Sequence, residues 1–462
     1  MLNKKNISLL LLIGAFLSCD VLNIDPEQEV PTETVYADEQ GAQTAVIGMY
    51  GAVRFGNAWG GFPLMAADFQ ADNSQHVGSF TTWEQVRQYN ISVENTVVQG
   101  VWQENYIAIS RANDVLANVE NVPDLDEELL DQWIGEAHFV RAISLFQLVK
   151  WFAQPYGFTG DNSHLGVPII TSPTDQEQPE LDFVARSTVA EVYDQIISDL
   201  QTAEGLVPDS YESGVELRGR ATTGSVQGML ARVYLYQSDW ENAAEYAGLV
   251  IDNPNYDLVG NLGSFDSENT AEDIFAIQMT VEDNPDVNAA FAAMHMPTPI
   301  GRGDINPTQD LLDAFEEGDQ RREQLYFNQD DRIWSAKFTS ENNADNIPII
   351  RVAEMYLTRA EALAEMGENT DEAENLLNAV RSRAGLDDYT GDLTEAIVNE
   401  RRVELAHEGH RKFDLLRRGE DITNIPSGDV DSVEYGDPRL IFPIPQRERD
   451  VNPELEQNPG YG

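Results

Sequence analysis

Apolar residues recur with a helical period through much of the chain. Ala42, Val46, Met49, Tyr50 and Val53 stand at i, i+4, i+7, i+8 and i+11, one face of a helix. Trp102, Tyr106, Ile109, Asn113 and Leu116 form a second stripe. Trp133, Ala137, Val140, Ile143, Leu145 and Leu148 form a third, closed by Pro155 and Gly157. A fourth covers Thr188–Gly205, where Val189, Val192, Tyr193, Ile196, Ile197 and Leu200 are apolar.

Two further segments add a repeat. In Gly228–Asp252, Ala231, Tyr234, Ala243 and Ala247 take the small and aromatic positions of a tetratricopeptide unit, with a turn at Ser238-Asp239-Trp240. Arg351–Gly385 echoes it: Tyr356, Ala360, Leu363 and Ala364, a turn over Gly367–Thr370, then Ala373, Leu376, Leu377 and Val380. Small residues there let two antiparallel helices approach closely. The expected fold is mainly α: tetratricopeptide-like helix pairs forming a curved scaffold. Between them lie long stretches rich in Gly, Pro, Asn and Asp, at 54–98, 153–187, 206–222, 253–348 and 419–462. They read as irregular ligand-binding insertions, because loops this long in a compact protein usually carry function.

The N-terminus changes the cellular picture. Lys4 and Lys5 precede a short apolar run, Ile7–Leu17, which ends in Phe16-Leu17-Ser18-Cys19. This is a secretory signal whose cut falls before a thiol, so Cys19 is the expected lipidation site. The run is too short to span a bilayer. The expected organisation is a signal peptide over 1–18, lipidated Cys19 and a flexible spacer over 19–35, and a body over 36–462. The body divides into an N-terminal part of about 36–250 and a C-terminal part of about 251–462. Cys19 is the chain's one cysteine, so no disulfide supports the exported body.

Acidic residues outnumber basic ones 80 to 29, a formal charge of −51. Nucleic acid is excluded as a partner, since it demands clustered Lys and Arg. The acids are interspersed with apolar residues. They read as a solvated surface suited to saline water, where screening weakens self-repulsion.

At the C-terminus the residues become specific. Asn399–Gly419 contains Glu400-Arg401-Arg402, Glu404, His407-Glu408-Gly409-His410-Arg411 and Phe413-Asp414-Leu415. The chain closes with Leu440-Ile441-Phe442-Pro443-Ile444-Pro445-Gln446 and Gln457-Asn458-Pro459-Gly460-Tyr461. Both resemble the signature of the SusD/RagB family of outer-membrane nutrient-binding lipoproteins. Glu361–Gly385 matches that family's preceding tetratricopeptide unit, and Arg111-Ala112-Asn113, the Glu136–Trp151 helix and Gly166-Val167-Pro168 fit its N-terminal half. His407 departs from it, standing where an aromatic is common. The resemblance implies four tetratricopeptide-like pairs carrying an irregular binding half, without catalytic activity. It also implies a lid on a SusC-type TonB-dependent transporter, the two together importing oligosaccharides through the outer membrane.

His407 and His410 are three apart with Gly409 between them, whereas the zincin pattern places two histidines four apart on one helical face. No metal or cofactor is expected. Glu400, Glu404 and Glu408 are spaced four apart with Arg401, Arg402 and Arg411 close by, which predicts ion pairs that fix this helix. No nucleophile elbow or P-loop occurs.

A pyranose lays its apolar face on an aromatic ring and offers its hydroxyls to Asp, Asn, Gln or Arg. Trp102, Trp133, Trp151 and Trp240 sit at helical spacing and read as core. Trp83, Trp59 and Trp334 stand in polar insertions and are the candidate sugar platforms, with Phe291 and His295 as lesser candidates. Asp68, Asp72, Asn73 and Arg87 are the candidate hydroxyl partners, each of which has a plainer role as helix cap or loop tie. The leading expectation is capture of a polysaccharide fragment, with marine β-glucans suggested by the acidic surface. A tetratricopeptide scaffold for a peptide or protein nutrient is the alternative, and an exported hydrolase ranks third.

Overall fold

A computed structural model describes residues 32–173, 183–260, 262, 267–426 and 430–461. The signal peptide and Cys19 lie outside the described residues. The expected spacer overlaps a helical turn at Thr32–Val35, and the next residue, Tyr36, donates its hydroxyl proton to Asp114 at 2.8 Å.

The periodic stripes fold as helices Glu39–Val53, Thr96–Asn118, Glu127–Phe152 and Val189–Glu204. Their starts are chemically marked. Asn95 and Asp126 accept from the first free N–H groups of their helices, and Thr188 closes a capping box with Glu191. The two repeat segments are Thr223–Gln237 with Trp240–Ile251, and Val352–Met366 with Thr370–Arg383. Their expected turns are present. Ser238 is left-handed and Asp239 caps the next helix; Gly367 ends its helix at φ +67°. Four helix pairs stack in series, each packed on the next. Arg359 reaches across Gly248 to donate to the Ala244 carbonyl at 2.7 Å, an approach that any Cβ at Gly248 would block.

The insertions are more regular than their composition suggests. They hold helices Phe62–Phe69 and Thr81–Arg87 and several shorter ones. Four two-stranded antiparallel ribbons also form. β1 (Ser74–His76) pairs with β3 (Ile305–Pro307), and β2 (Asp273–Ile277) with β6 (Ile347–Arg351). β4 (Tyr326–Gln329) pairs with β5 (Arg332–Ser335), and β7 (Ile422–Thr423) with β8 (Ser432–Val433). Trp102, Trp133 and Trp151 are core, as expected, whereas Trp240 is half-buried. The C-terminal tail completes this core. Phe442 stacks on Trp151 with ring centroids 4.4 Å apart, and its N–H donates to the Trp151 carbonyl at 2.7 Å. Asn458 donates to the carbonyls of Phe152 and Phe442 at 2.8 and 2.7 Å.

The expected ion pairs near Glu400 exist with different partners. Helix Leu393–Glu404 ends before Glu408, and the chain reverses through left-handed His407 and Gly409. Glu400 and Glu404 share one helical face, and their cations come from distant segments. Arg321 reaches them at 2.6 and 3.0 Å. Arg351 binds Glu272, Glu404 and Glu408, Arg383 binds Glu272 and Glu404, and Lys337 binds Glu408. Arg401 turns instead to Asp414, and Arg402 and Arg411 turn to Asp72. Burial drives the Glu404 carboxyl upward, but Arg383, Arg351 and Arg321 more than reverse this and hold it well below the usual carboxylate range.

Candidate functional site

The β1–β3 ribbon brings most of the sequence-derived candidates together, and it places them inside the protein. Trp83 lies in helix Thr81–Arg87 and is 4% exposed. Its ring meets Phe62 edge-on at 4.9 Å, stacks on Phe69 at 5.9 Å and lies 5.5 Å from His76. Trp334, 5% exposed, packs against Gly303 and donates Nε1–H to the Gln329 carbonyl at 3.1 Å. Trp59 is apart from both and 1% exposed, with the Lys150 ammonium 5.0 Å from its ring centroid. Phe291 and His295 stack on each other in the interior, and His295 lies 5.3 Å from His407. Burial pushes the His295 imidazole down to about 4. The reading of these rings as open-loop platforms is therefore corrected: helix and ribbon fold them inward.

The proposed hydroxyl partners hold protein groups. Asp68 accepts from the Asn73 amide at 3.2 Å and the Gly409 N–H at 3.1 Å. Burial pushes its carboxyl up to about 7, against these hydrogen bonds. Asn73 accepts from Arg402 Nε at 3.0 Å, and Asp72 takes both prongs of Arg411. Arg87 pairs with Glu84 and donates to the Pro426 carbonyl at 3.2 Å. His407 Nδ1 lies 3.0 Å from Ser74 Oγ. Asp68, Asp72 and Asn73 thus clamp the C-terminal signature onto the N-terminal part. Among the described residues no three His, Cys, Asp or Glu side chains are grouped to hold a metal ion.

Solvent reaches the layer above Trp83. Phe80 is half-buried, 5.8 Å from Trp83, with the Arg302 guanidinium 4.4 Å from its ring centroid. Arg302 donates Nη1–H to Asn288 Oδ1 at 2.8 Å and Nε–H to Asp304 Oδ2 at 2.9 Å. The Val77 N–H donates to the Asp304 carbonyl at 2.8 Å, continuing the ribbon. A Cβ at Gly78 would come within 2.6 Å of the Asp304 carboxyl carbon and 2.8 Å of His76 Nε2. Glycine is what lets the loop close over this group. Val77, and Val287 next to Asn288 in sequence, are 43% and 46% exposed. His76 is buried, and neither ring nitrogen is hydrogen-bonded among the described residues. Burial lowers its pKa from the ordinary histidine value, against the pull of Asp304 and Glu84.

An aromatic ring, the exposed Val77, a guanidinium and an amide, held from below by the buried Asp304 carboxylate, are thus brought together. Such a set offers an apolar patch beside hydrogen-bonding groups. Phe80, Asn288, Arg302 and Asp304 are absent from the sequence-derived set. A signal exists: Arg302 is isolated between Gly301 and Gly303 in a polar insertion.

A model described as the SusD family matches residues 331–461, and one described as starch-binding associating with outer membrane matches residues 22–235. The chain is 25% identical to SusD-like protein P2 of Formosa agariphila across the whole of both chains. Among solved structures it is similar to a SusD superfamily protein from Bacteroides thetaiotaomicron, with a TM-score of 0.83 and 26% identity. The match covers 91% of this chain and 100% of that one. It also resembles a laminarin binding SusD-like protein, with a TM-score of 0.78 and 27% identity over 92% of this chain and all of the other.

Proposed function

The chain belongs to the SusD family, and we propose that it is a non-catalytic lipoprotein of the cell surface that captures a polysaccharide fragment. It passes the fragment to a SusC-type TonB-dependent transporter in the outer membrane. Relatives described as starch-binding and laminarin binding support a glycan ligand. Cys19 behind an apolar run supports a lipid anchor. The observation that carries the reading is the rim of Phe80, Arg302, Asn288 and Asp304 above buried Trp83. Trp83 contributes by supporting Phe80 from below. Arg302 and Asn288 meet hydroxyls, and Phe80 with Val77 meets the apolar face. An acidic surface favours a neutral glycan over a polyanionic one.

The test is titration of residues 20–462 with laminarihexaose and with maltohexaose. Binding that Arg302→Ala weakens tenfold or more supports the rim. Absence of binding to any neutral glycan defeats the reading.

A further inference from the structure

A hollow of about 230 Å³ lies in the C-terminal part between helix Leu393–Glu404, the loop after helix Thr370–Arg383 and the segment around Glu316–Arg321. The loop is built before any ligand arrives. Left-handed Gly385 ends the preceding helix, and the Leu386 N–H returns to the Arg381 carbonyl at 3.0 Å. Asn378 then grips the Tyr389 backbone twice. It accepts from the Tyr389 N–H at 2.7 Å and donates to the Tyr389 carbonyl at 3.4 Å. Arg381 donates to the Asp387 carbonyl at 3.1 Å, with its guanidinium 5.5 Å from the Tyr389 ring centroid. The ring is thereby fixed, half-buried, in the wall of the hollow.

Two ion pairs make the other walls: Arg321 with Glu400 at 2.6 Å, and Arg381 with Glu316 at 2.5 Å. Asn399 and Glu395 also line the space, and their side chains make no hydrogen bond or ion pair among the described residues. One fixed aromatic, an apolar floor of Leu386 and Val403, a free amide and a free carboxylate are what a single sugar ring needs. The volume falls below the roughly 300 Å³ at which drug-sized pockets begin, so it suits one ring. Charge narrows the class. Four carboxylates (Glu316, Asp319, Glu395, Glu400) face two guanidinium groups (Arg321, Arg381), an excess of two negative charges. Such a site repels uronates and sulfate esters.

We propose that this hollow is a second carbohydrate subsite for one neutral hexose unit, with Tyr389 as platform and Asn399 and Glu395 as hydroxyl partners. It rests on the glycan reading above and is separate from the Phe80–Arg302 rim. A chain with two such sites holds a polymer at two points, raising its avidity.

The experiment is calorimetric titration of residues 20–462 with laminarihexaose and maltohexaose, comparing the native chain with Asn399→Ala, Tyr389→Ala and Arg302→Ala. Asn399 has no protein partner to lose, so its variant should melt with the native chain. The expected result is two binding events, one of which both Asn399→Ala and Tyr389→Ala weaken about fivefold or more while Arg302→Ala leaves it in place. A single event, lost in Arg302→Ala and untouched by Asn399→Ala, overturns the second subsite and leaves the first reading standing. Binding of oligogalacturonate that depends on Asn399 overturns its neutral specificity. No binding by the native chain defeats both.

Discussion

Arg411 donates Nε–H and Nη2–H to the two carboxylate oxygens of Asp72, each at 2.6 Å, joining residues 339 positions apart. Planar bidentate contact is specific to arginine. Both side chains are largely withdrawn from water, so removing Arg411 leaves the buried Asp72 carboxylate with Arg402 alone. Arg411→Ala should cost about 3 kcal/mol of unfolding free energy in urea, and Arg411→Lys should recover only part of it.

A larger loss is expected at the centre of the ionic network. Arg351 serves Glu272, Glu404 and Glu408 at once. Arg351→Met leaves three carboxylates with fewer partners and should destabilise the protein by about 3–5 kcal/mol, read as a lowered melting temperature. A variant that melts with the native protein would show that the remaining cations, Arg383 and Lys337, suffice.

Asp68 gives the pH response a definite sign. Its folded carboxyl is raised to about 7 from an ordinary value of 3.8, so the folded state holds a proton the unfolded state has released. Its favourable contribution is present below about pH 4, fades as pH rises to about 7 and stays absent above. Asp68→Asn removes that proton and should flatten the stability curve between about pH 4 and 7, measured by urea unfolding at several pH values. Asp414 acts at the other end. Burial raises its carboxyl, but Arg401 and Arg417 hold it below the usual range, so its stabilisation is lost only as pH falls below the ordinary carboxylate value.

Trp83 and Arg302 should fail differently. Trp83→Ala opens a cavity beneath Phe80 and should cost about 3–5 kcal/mol of stability, with any binding loss following from collapse. Arg302→Ala should melt near the native temperature and still lose glycan affinity. Equal melting of both variants would remove Trp83 from the support of the rim.

Cys19→Ala should leave glycan affinity of the purified body unchanged and abolish retention on the cell surface, scored by fractionation. A fall in affinity would give the lipid a role beyond anchoring.

The helix pairs were legible because a buried stripe repeats every 3.6 residues and because caps such as Thr188 and turns such as Ser238-Asp239 are local chemistry. The rest was hidden by distance along the chain. Trp83 sits among Ser, Thr and Gln, and nothing nearby in sequence reveals that β3, about 220 residues later, forms the ribbon beside which helix and ring turn inward. Asp72 and Asn73 look free in sequence, since their partners Arg411 and Arg402 are more than 320 residues away. Charge spacing on the Glu400 segment suggested local pairs. The physical answer was Arg321, Arg351 and Arg383, which arrive from other layers of the fold. Aromatic residues in polar runs single out Trp83, whereas the groups nearer solvent above it are Phe80 and Arg302.

The segment that carries Phe442 and Asn458 has a consequence for synthesis. Translation delivers the chain from its N-terminus, so Trp151 and the Phe152 carbonyl are made some three hundred residues before Phe442 and Asn458 cover them. Until then an apolar ring and a buried acceptor stay open, and contacts of such high sequence separation form slowly. A product that stops before Phe442 cannot seal its own core. The fold therefore closes over Trp151 only after Phe442 and Asn458 have been made.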